Sequence, residues 1–70
     1  MIRQRVLSSN LKSVGYDDTE NILEIEFKSG SIYQYFDVPR EIYDELMRAQ
    51  SKGKYFWRWI RDEFEYEKIK

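Results

Sequence analysis

Residues 52–61, KGKYFWRWIR, interleave basic and aromatic side chains, and that combination can bind nucleic acid. Lysine and arginine neutralise phosphates, while exposed aromatic rings stack on unpaired bases. On a helix, with about 100° per residue, Lys54, Arg58 and Arg61 share one face that would hold phosphate. The stacking would come from Tyr55, Trp57 or Trp59. The candidate binding residues are therefore Lys52, Lys54, Tyr55, Trp57, Arg58, Trp59 and Arg61.

Two other readings explain the same stretch. In the first, the cations form a solvated face beside a core stripe and are paired with the local acids Asp62, Glu63 and Glu65, a common arrangement on protein surfaces. In the second, the surface binds a protein, including a second copy of this chain, because Trp, Tyr and Arg are enriched at binding hot spots. Two tryptophans so close together on one helix favour a binding role, since both cannot be fully buried.

A second aromatic pair, Tyr33 and Tyr35 in SIYQYF, could form a stacking platform if it faces solvent. The register of the hairpin decides this. A two-residue turn at Ser29-Gly30 would place both tyrosines outside, whereas a three-residue loop, residues 28–30, with Gly30 left-handed, would turn them towards the core. We favour the three-residue loop, because it uses glycine where positive φ is required and keeps Gln34 out of the core.

The residues for catalysis or metal binding are scarce. The chain contains no cysteine and no histidine, which removes thiolate chemistry and the commonest general base and metal ligand. Two carboxylate pairs remain, Asp17-Asp18 in a polar turn and Glu24-x-Glu26 on the wet face of a strand, and we interpret both as solubilising or turn residues. The sequence therefore predicts a protein that is not an enzyme and uses no cofactor or metal.

With 70 residues and a net charge of −1, the chain is expected to form one domain over residues 1–70 with a thin core. Residues 51–70 carry six basic and four acidic side chains, whereas residues 1–50 carry six basic and nine acidic side chains. The last twenty residues are therefore the positively charged part of the chain. No apolar run reaches the length of a membrane span, and the start lacks the apolar stretch of a signal peptide. We expect a cytoplasmic protein with no membrane partner.

The elements that would position these residues read as strands followed by helices, which predicts an α+β fold. We expect a small antiparallel meander of three or four strands, with strands at residues 11–17, 22–28 and 31–36. Residues 1–8 are an N-terminal arm or an edge strand, and residues 66–70 are a tail.

Two helices should follow and pack on the sheet. Pro39 opens the first, which carries an apolar stripe at Ile42 and Leu46. Gly53 suits the left-handed position that follows the end of this first helix. The second helix would bury Phe56, Ile60 and Phe64, which recur every fourth residue.

The ordered motifs from residue 8 to residue 69 resemble the KTSC domain, a module also found at the C-terminus of some lysyl-tRNA synthetases and alone in small bacterial and phage proteins. The elements that carry the resemblance include VGYD at residues 14–17, the Tyr33-x-Tyr35 pair, Val38-Pro39, Ser51-x-Gly53 and Ile60-Arg61. The chain departs from the family's usual pattern at Trp57 and Trp59, where more polar residues are expected.

The resemblance implies a family of unknown function without recognised catalytic residues, for which RNA binding is suggested by its attachment to a tRNA-charging enzyme. We therefore expect a non-enzymatic module that binds RNA, either tRNA or a single strand. The alternative is a protein-interaction or adaptor domain, including a homodimer or a small phage or bacterial inhibitor, that uses the same surface. The two tryptophans would then serve this protein's particular partner or self-association.

Overall fold

The computed structural model describes residues 1–70 and contains one antiparallel sheet of five strands in the order β1-β2-β3-β4-β5. Each strand pairs with its neighbour in sequence, so the sheet is a simple meander. Two helices lie between the fourth and fifth strands. The elements are β1 (Gln4–Arg5), β2 (Leu11–Asp17), β3 (Ile22–Phe27), β4 (Ile32–Tyr35), α1 (Arg40–Arg48), α2 (Lys52–Trp59) and β5 (Tyr66–Lys68).

The predicted three-residue loop between β3 and β4 is confirmed by the register. Ile25 pairs with Tyr33, and Leu23 pairs with Tyr35, so the tyrosines share the face of the apolar β3 side chains. The φ angle of Gly30 is 101°, a left-handed conformation that glycine adopts without the penalty a side chain would bring. Tyr35 is consequently buried and Tyr33 half-buried.

The opposite face of β3 differs from the wet face that the alternation of ILEIEF predicts. Glu24 is only 7% exposed, because the N-terminal arm, residues 1–3, crosses over β2. The Arg3 guanidinium forms an ion pair with Glu24, and the Gln34 amide donates to the same carboxylate at 2.8 Å. Glu26 accepts from the Ser13 hydroxyl at 2.8 Å. This second face is a paired polar layer.

The core lies between the first face of the sheet and the two helices. Phe56 joins α2 to the sheet through edge-on contacts, with its ring centroid 5.3 Å from Phe27 and 5.6 Å from Tyr35. The buried apolar residues are Leu11, Val14, Leu23, Ile25, Tyr35, Val38, Leu46, Phe56 and Ile60. The expected stripe of the second helix is thus buried at Phe56 and Ile60 and half-buried at Phe64.

Three boundaries differ from the sequence-based expectation. The second helix, expected to continue to Phe64, ends at Trp59, because the N–H groups of Ile60 and Arg61 both donate to the Phe56 carbonyl and the chain turns there. Gly53 lies in the first turn of α2, because Ser51 caps that helix, and its φ is not left-handed. Residues 66–68, expected in a tail, form β5 and pair with β4 through Tyr33, Gln34 and Tyr35.

The α+β class is confirmed. The sheet has five strands where three or four were expected: β1 is the edge strand left open for residues 1–8, and β5 is the added strand. Neither helix combines the length and the apolar character needed to cross a membrane.

Candidate binding surface

The exposed side of α2 begins with a capped helix end. The Ser51 hydroxyl accepts a hydrogen bond from the backbone N–H of Lys54 at 3.3 Å, which satisfies one free donor of the first turn. Phe56 then faces the sheet and fixes the rotation of the helix. As a result, Trp57 and Trp59 are 59% and 48% exposed, and Lys54 and Arg58 are also exposed.

Two guanidinium–indole pairs form at the exposed end of α2. The Arg61 guanidinium carbon lies 4.1 Å from the centroid of Trp57, and that of Arg58 lies 5.3 Å from Trp59. Cation–π contacts of this kind hold a long side chain in place without neutralising its charge. We call Lys54, Trp57, Arg58, Trp59 and Arg61 the basic-aromatic surface.

The charges of the basic-aromatic surface stay available. The five ion pairs of the chain all involve Arg3, Lys12 or Arg40. None of them joins a cation of α2 to Asp62, Glu63 or Glu65, the acids that the solvated-face reading would pair with it. The surface therefore presents three positive charges and two aromatic faces together.

Two of the candidate residues lie apart from this surface. The Lys52 ammonium donates to the carbonyl of Ala49 at 3.0 Å, near the end of α1. The Tyr55 hydroxyl donates to Glu45 of α1 at 3.0 Å, and burial, together with this carboxylate, raises the pKa of Tyr55 to about 12. Both side chains join the two helices to each other.

Tyr33 and Tyr35 belong to a second site, an aromatic cleft beside the first. Tyr66 of β5 completes it, with ring centroids 5.7 Å from Tyr33 and 5.8 Å from Tyr35. The cleft has a volume of about 390 Å³. Its aromatic lining is Phe27, Tyr33, Tyr35, Phe56 and Tyr66, and its polar lining is Ser29, Ser31, Arg61 and Asp62.

Arg61 connects the basic-aromatic surface to the aromatic cleft. The backbone N–H groups of Ile60 and Arg61 both donate to the Phe56 carbonyl, at 3.0 and 2.9 Å, so the chain turns sharply after α2. The turn leaves Arg61 against Trp57 on one side and in the lining of the cleft on the other. Arg61 thus contributes to both the basic-aromatic surface and the lining of the aromatic cleft.

Sequence reasoning missed Tyr66, because the segment EYEKIK looks polar and frayed. Its alternation, with Tyr66 and Lys68 on one side and Glu65 and Glu67 on the other, is a strand signal. Over three paired residues that signal is too short to distinguish a strand from a polar end.

The carboxylate pairs have structural partners. Asp17 accepts from the backbone N–H of Thr19 at 2.9 Å, and Asp18 forms an ion pair with Arg40 at 2.7 Å. Glu24 and Glu26 belong to the polar layer under the N-terminal arm. No group of three or more metal-ligating side chains is assembled anywhere in the chain.

Comparison with known proteins gives relatives of two kinds. Residues 7–64 match the family model of the KTSC domain. The chain is 46% identical over 61 residues to the lysine–tRNA ligase of Nostoc sp., covering 87% of this chain and 11% of that protein. It is also 46% identical over 56 residues to a small protein of Stutzerimonas stutzeri, covering 80% of this chain and 79% of that one. The chain thus spans about a tenth of the length of the ligase.

A solved structure shares the whole fold. The crystal structure of a KTSC domain protein from Yersinia pestis superimposes with a TM-score of 0.93 at 41% sequence identity. The superposition covers 99% of this chain and 97% of that one, so it includes both edge strands. By family model, sequence and structure alike, this chain belongs to the KTSC domain family.

Proposed function

We propose that this chain is a non-enzymatic binding module that holds single-stranded RNA, or the unpaired regions of a tRNA, on its basic-aromatic surface. The observation that carries the proposal is that α2 and the turn after it expose two guanidinium–indole pairs, Arg61 with Trp57 and Arg58 with Trp59. Each pair offers a charge for a phosphate and an indole face for a base. Single-strand binders combine the same two elements.

The electrostatics support this assignment although the whole chain is slightly acidic, with a net charge of −1. Phosphate binding depends on local positive charge, and four of the nine acids in the first fifty residues form ion pairs with cations outside α2, among them Glu24 with Arg3 and Asp18 with Arg40. The cations of α2 have no such partners. The positive charge is therefore concentrated where the aromatic rings are exposed.

The relatives support the same substrate class. Several proteins that contain a segment similar to this chain are named lysine–tRNA ligases, so the family occurs in proteins whose named substrate is tRNA. A module attached to such a protein would meet RNA at high local concentration.

The test is a filter-binding titration of a short single-stranded oligoribonucleotide and of tRNA at two salt concentrations. We expect binding at low salt that weakens steeply as salt rises, because bound phosphates release counterions. Arg58→Glu should weaken binding and lower the slope of log affinity against log salt by about 0.7, the value for one phosphate contact on a single strand.

Arg5→Glu is the matched control. Arg5 is an exposed arginine on β1, at the sheet edge opposite β5, and it belongs to none of the ion pairs. Its reversal changes the net charge by the same amount and should leave the salt slope unchanged. No binding at low salt, or equal effects of the two reversals, would contradict the RNA proposal.

Self-association through the same surface is the second candidate. Trp57 and Trp59 expose about half of their area, and large apolar side chains of that kind are typical of contact surfaces between proteins. Light scattering after size exclusion would show a dimer that Trp59→Ala dissociates, with little dependence on salt.

A further inference from the structure

The aromatic cleft beside α2 has the dimensions and lining of a site for a small ligand. Its volume of about 390 Å³ falls in the range of pockets that bind small molecules, about 300–1,000 Å³. Tyr33 and Tyr35 are roughly parallel, with an interplanar angle of 24°, and Tyr66 inclines towards both. Tyr66 lines the cleft and is 58% exposed, so part of it is accessible to a planar ligand.

The Tyr35 hydroxyl favours a polar ligand over an apolar one. The residue is only 3% exposed, and no side-chain hydrogen bond contributes to the shift of its pKa. No fully buried side-chain oxygen lacks a partner, so this hydroxyl keeps some accessible surface, and Tyr35 lines the cleft. Burial, reinforced by Tyr33 and Tyr66, raises the pKa of Tyr35, which keeps the group protonated and able to donate.

Charged groups of both signs line the same cleft. Arg61 and Asp62 are adjacent in sequence, both contribute to the lining, and neither belongs to an ion pair. A guanidinium binds phosphate, whereas a carboxylate repels it and accepts N–H donors. A ligand that bound both residues would carry a phosphate at one end and N–H donors at the other.

We propose that the aromatic cleft binds one nucleotide, with its base against Tyr33 and Tyr66, its phosphate on Arg61 and its N–H donors on Asp62. Guanine fits best, because its N1–H and N2–H lie side by side and match the two carboxylate oxygens, while its carbonyl accepts from a hydroxyl. The inference deepens the proposed function and takes from it the expectation that the ligand is a nucleotide. The basic-aromatic surface would then guide the strand, and the cleft would read one of its bases.

The experiment is a titration of the isotopically labelled full chain with GMP, followed by amide chemical shifts. We expect saturable shifts at Ser29, Ser31, Asp62 and Tyr66. UMP has only one ring N–H and should bind about tenfold more weakly than GMP, which corresponds to one lost charge-assisted hydrogen bond. Ribose 5-phosphate, which lacks a base, should bind far more weakly still.

Two variants test the assigned contacts. Tyr66→Ala should weaken GMP binding about tenfold, the effect of losing one stacking ring. Arg61→Gln, at an exposed position, should reduce the affinity for GMP towards that of guanosine and leave the affinity for guanosine itself unchanged. Arg5→Gln is the control, because Arg5 is an exposed arginine on β1, at the sheet edge opposite β5, and its loss should leave GMP binding unchanged.

The outcomes separate the two proposals. If the RNA strand binds but GMP produces no shifts at the cleft, or ribose 5-phosphate binds as tightly as GMP, the cleft inference is wrong and the proposed function stands. Saturable GMP binding without any strand binding supports the cleft and overturns the RNA proposal. A strand that contains guanine and binds more tightly than free GMP would identify RNA, rather than a free nucleotide, as the source of the ligand.

Discussion

At the residue scale, Gly15 explains how the second face of the sheet is closed. A Cβ at this position would lie 2.9 Å from the carbonyl oxygen of Ile2 and 3.1 Å from Cγ of Arg3. The N-terminal arm can therefore cross β2 only because residue 15 has no side chain. That crossing brings the Arg3 guanidinium to Glu24.

Gly15→Ala should lift the arm from the sheet. We expect a loss of about 1–3 kcal/mol in the free energy of unfolding, the usual cost of overpacking, and faster hydrogen exchange in β1. Chemical denaturation and amide exchange would measure both effects. Gly53→Ala is the matched control, because its Cβ meets only the end of the exposed Asn10 side chain and alanine favours the helix. Equal losses in the two variants would contradict the role assigned to Gly15.

Glu24 makes stability depend on pH. Burial alone would raise the pKa of its carboxyl group, but hydrogen bonds from Gln34 and Arg3 and the charge of Arg3 outweigh it and hold the pKa below the usual 4.5. A carboxyl group with a lowered folded-state pKa contributes stability above the unfolded value and loses it as the pH falls through the folded value.

We therefore expect the free energy of unfolding to fall as the pH drops below 4.5. Glu24→Gln should lower the free energy of unfolding by about 1–2 kcal/mol near neutral pH, because the Arg3 charge loses its partner. It should also make the free energy of unfolding depend less on pH below 4.5. Denaturant titrations at several pH values would measure this. Glu20→Gln, at an exposed turn position, is the control and should leave the pH dependence of the free energy of unfolding unchanged. If Glu24→Gln loses stability in acid as the unchanged chain does, Glu24 is not the source of the pH dependence.

At the element scale, the three central strands and the helix stripes follow from local sequence rules. The alternation of ILEIEF and the glycine of the three-residue loop together specify the register of β3 and β4, so the inward orientation of Tyr35 is predictable. The exposure of Trp57 and Trp59 follows likewise from the buried spacing of Phe56 and Ile60.

The edge strands and the polar layer do not follow from such rules. β1 has two residues and β5 has three, and their pairing depends on contacts with strands far away in the chain. Arg3 meets Glu24 across 21 positions, and Tyr66 meets Tyr33 across the whole helical segment. The aromatic cleft was therefore hidden from sequence reasoning, because one of its walls comes from β5.

Removal of β5 tests the importance of this edge. Deletion of residues 66–70 would remove the Tyr66 ring, the pairing with β4 and the bonds between Ile32 and residues 69–70. We expect a chain that retains its helices but loses a few kcal/mol of stability, about 1 kcal/mol for each net hydrogen bond. Circular dichroism with thermal denaturation would measure it. The paired change Tyr66→Ala in the full chain separates loss of the ring from loss of the strand.

At the scale of the whole molecule, the margin of stability is small. Only 12 of 70 residues are buried, and a domain of this length is stabilised by roughly 0.05–0.15 kcal/mol per residue. Leu46 is the one buried residue of α1, so that helix depends on a single deep anchor. The residues of the basic-aromatic surface are exposed and add little to this margin, so substitutions there can test binding without unfolding the chain.

Leu46→Ala should consequently cost about 2–5 kcal/mol, a large part of the total, and populate unfolded chains at moderate temperature. Leu7→Ala is the matched control, because Leu7 is 95% exposed and its truncation removes almost no buried area. Denaturant midpoints for the two variants would give the comparison. A cost below about 1 kcal/mol for Leu46→Ala would show that the helices can repack around the gap.

The exposure of both tryptophans has a practical consequence for any study of this protein. They are its only indoles, and each is about half in water in the folded state. Their emission spectrum should already resemble that of indole in water, so unfolding will change its wavelength little. A base stacked on either ring would quench that emission, which makes the protein's own fluorescence a reporter of occupancy and a poor reporter of folding.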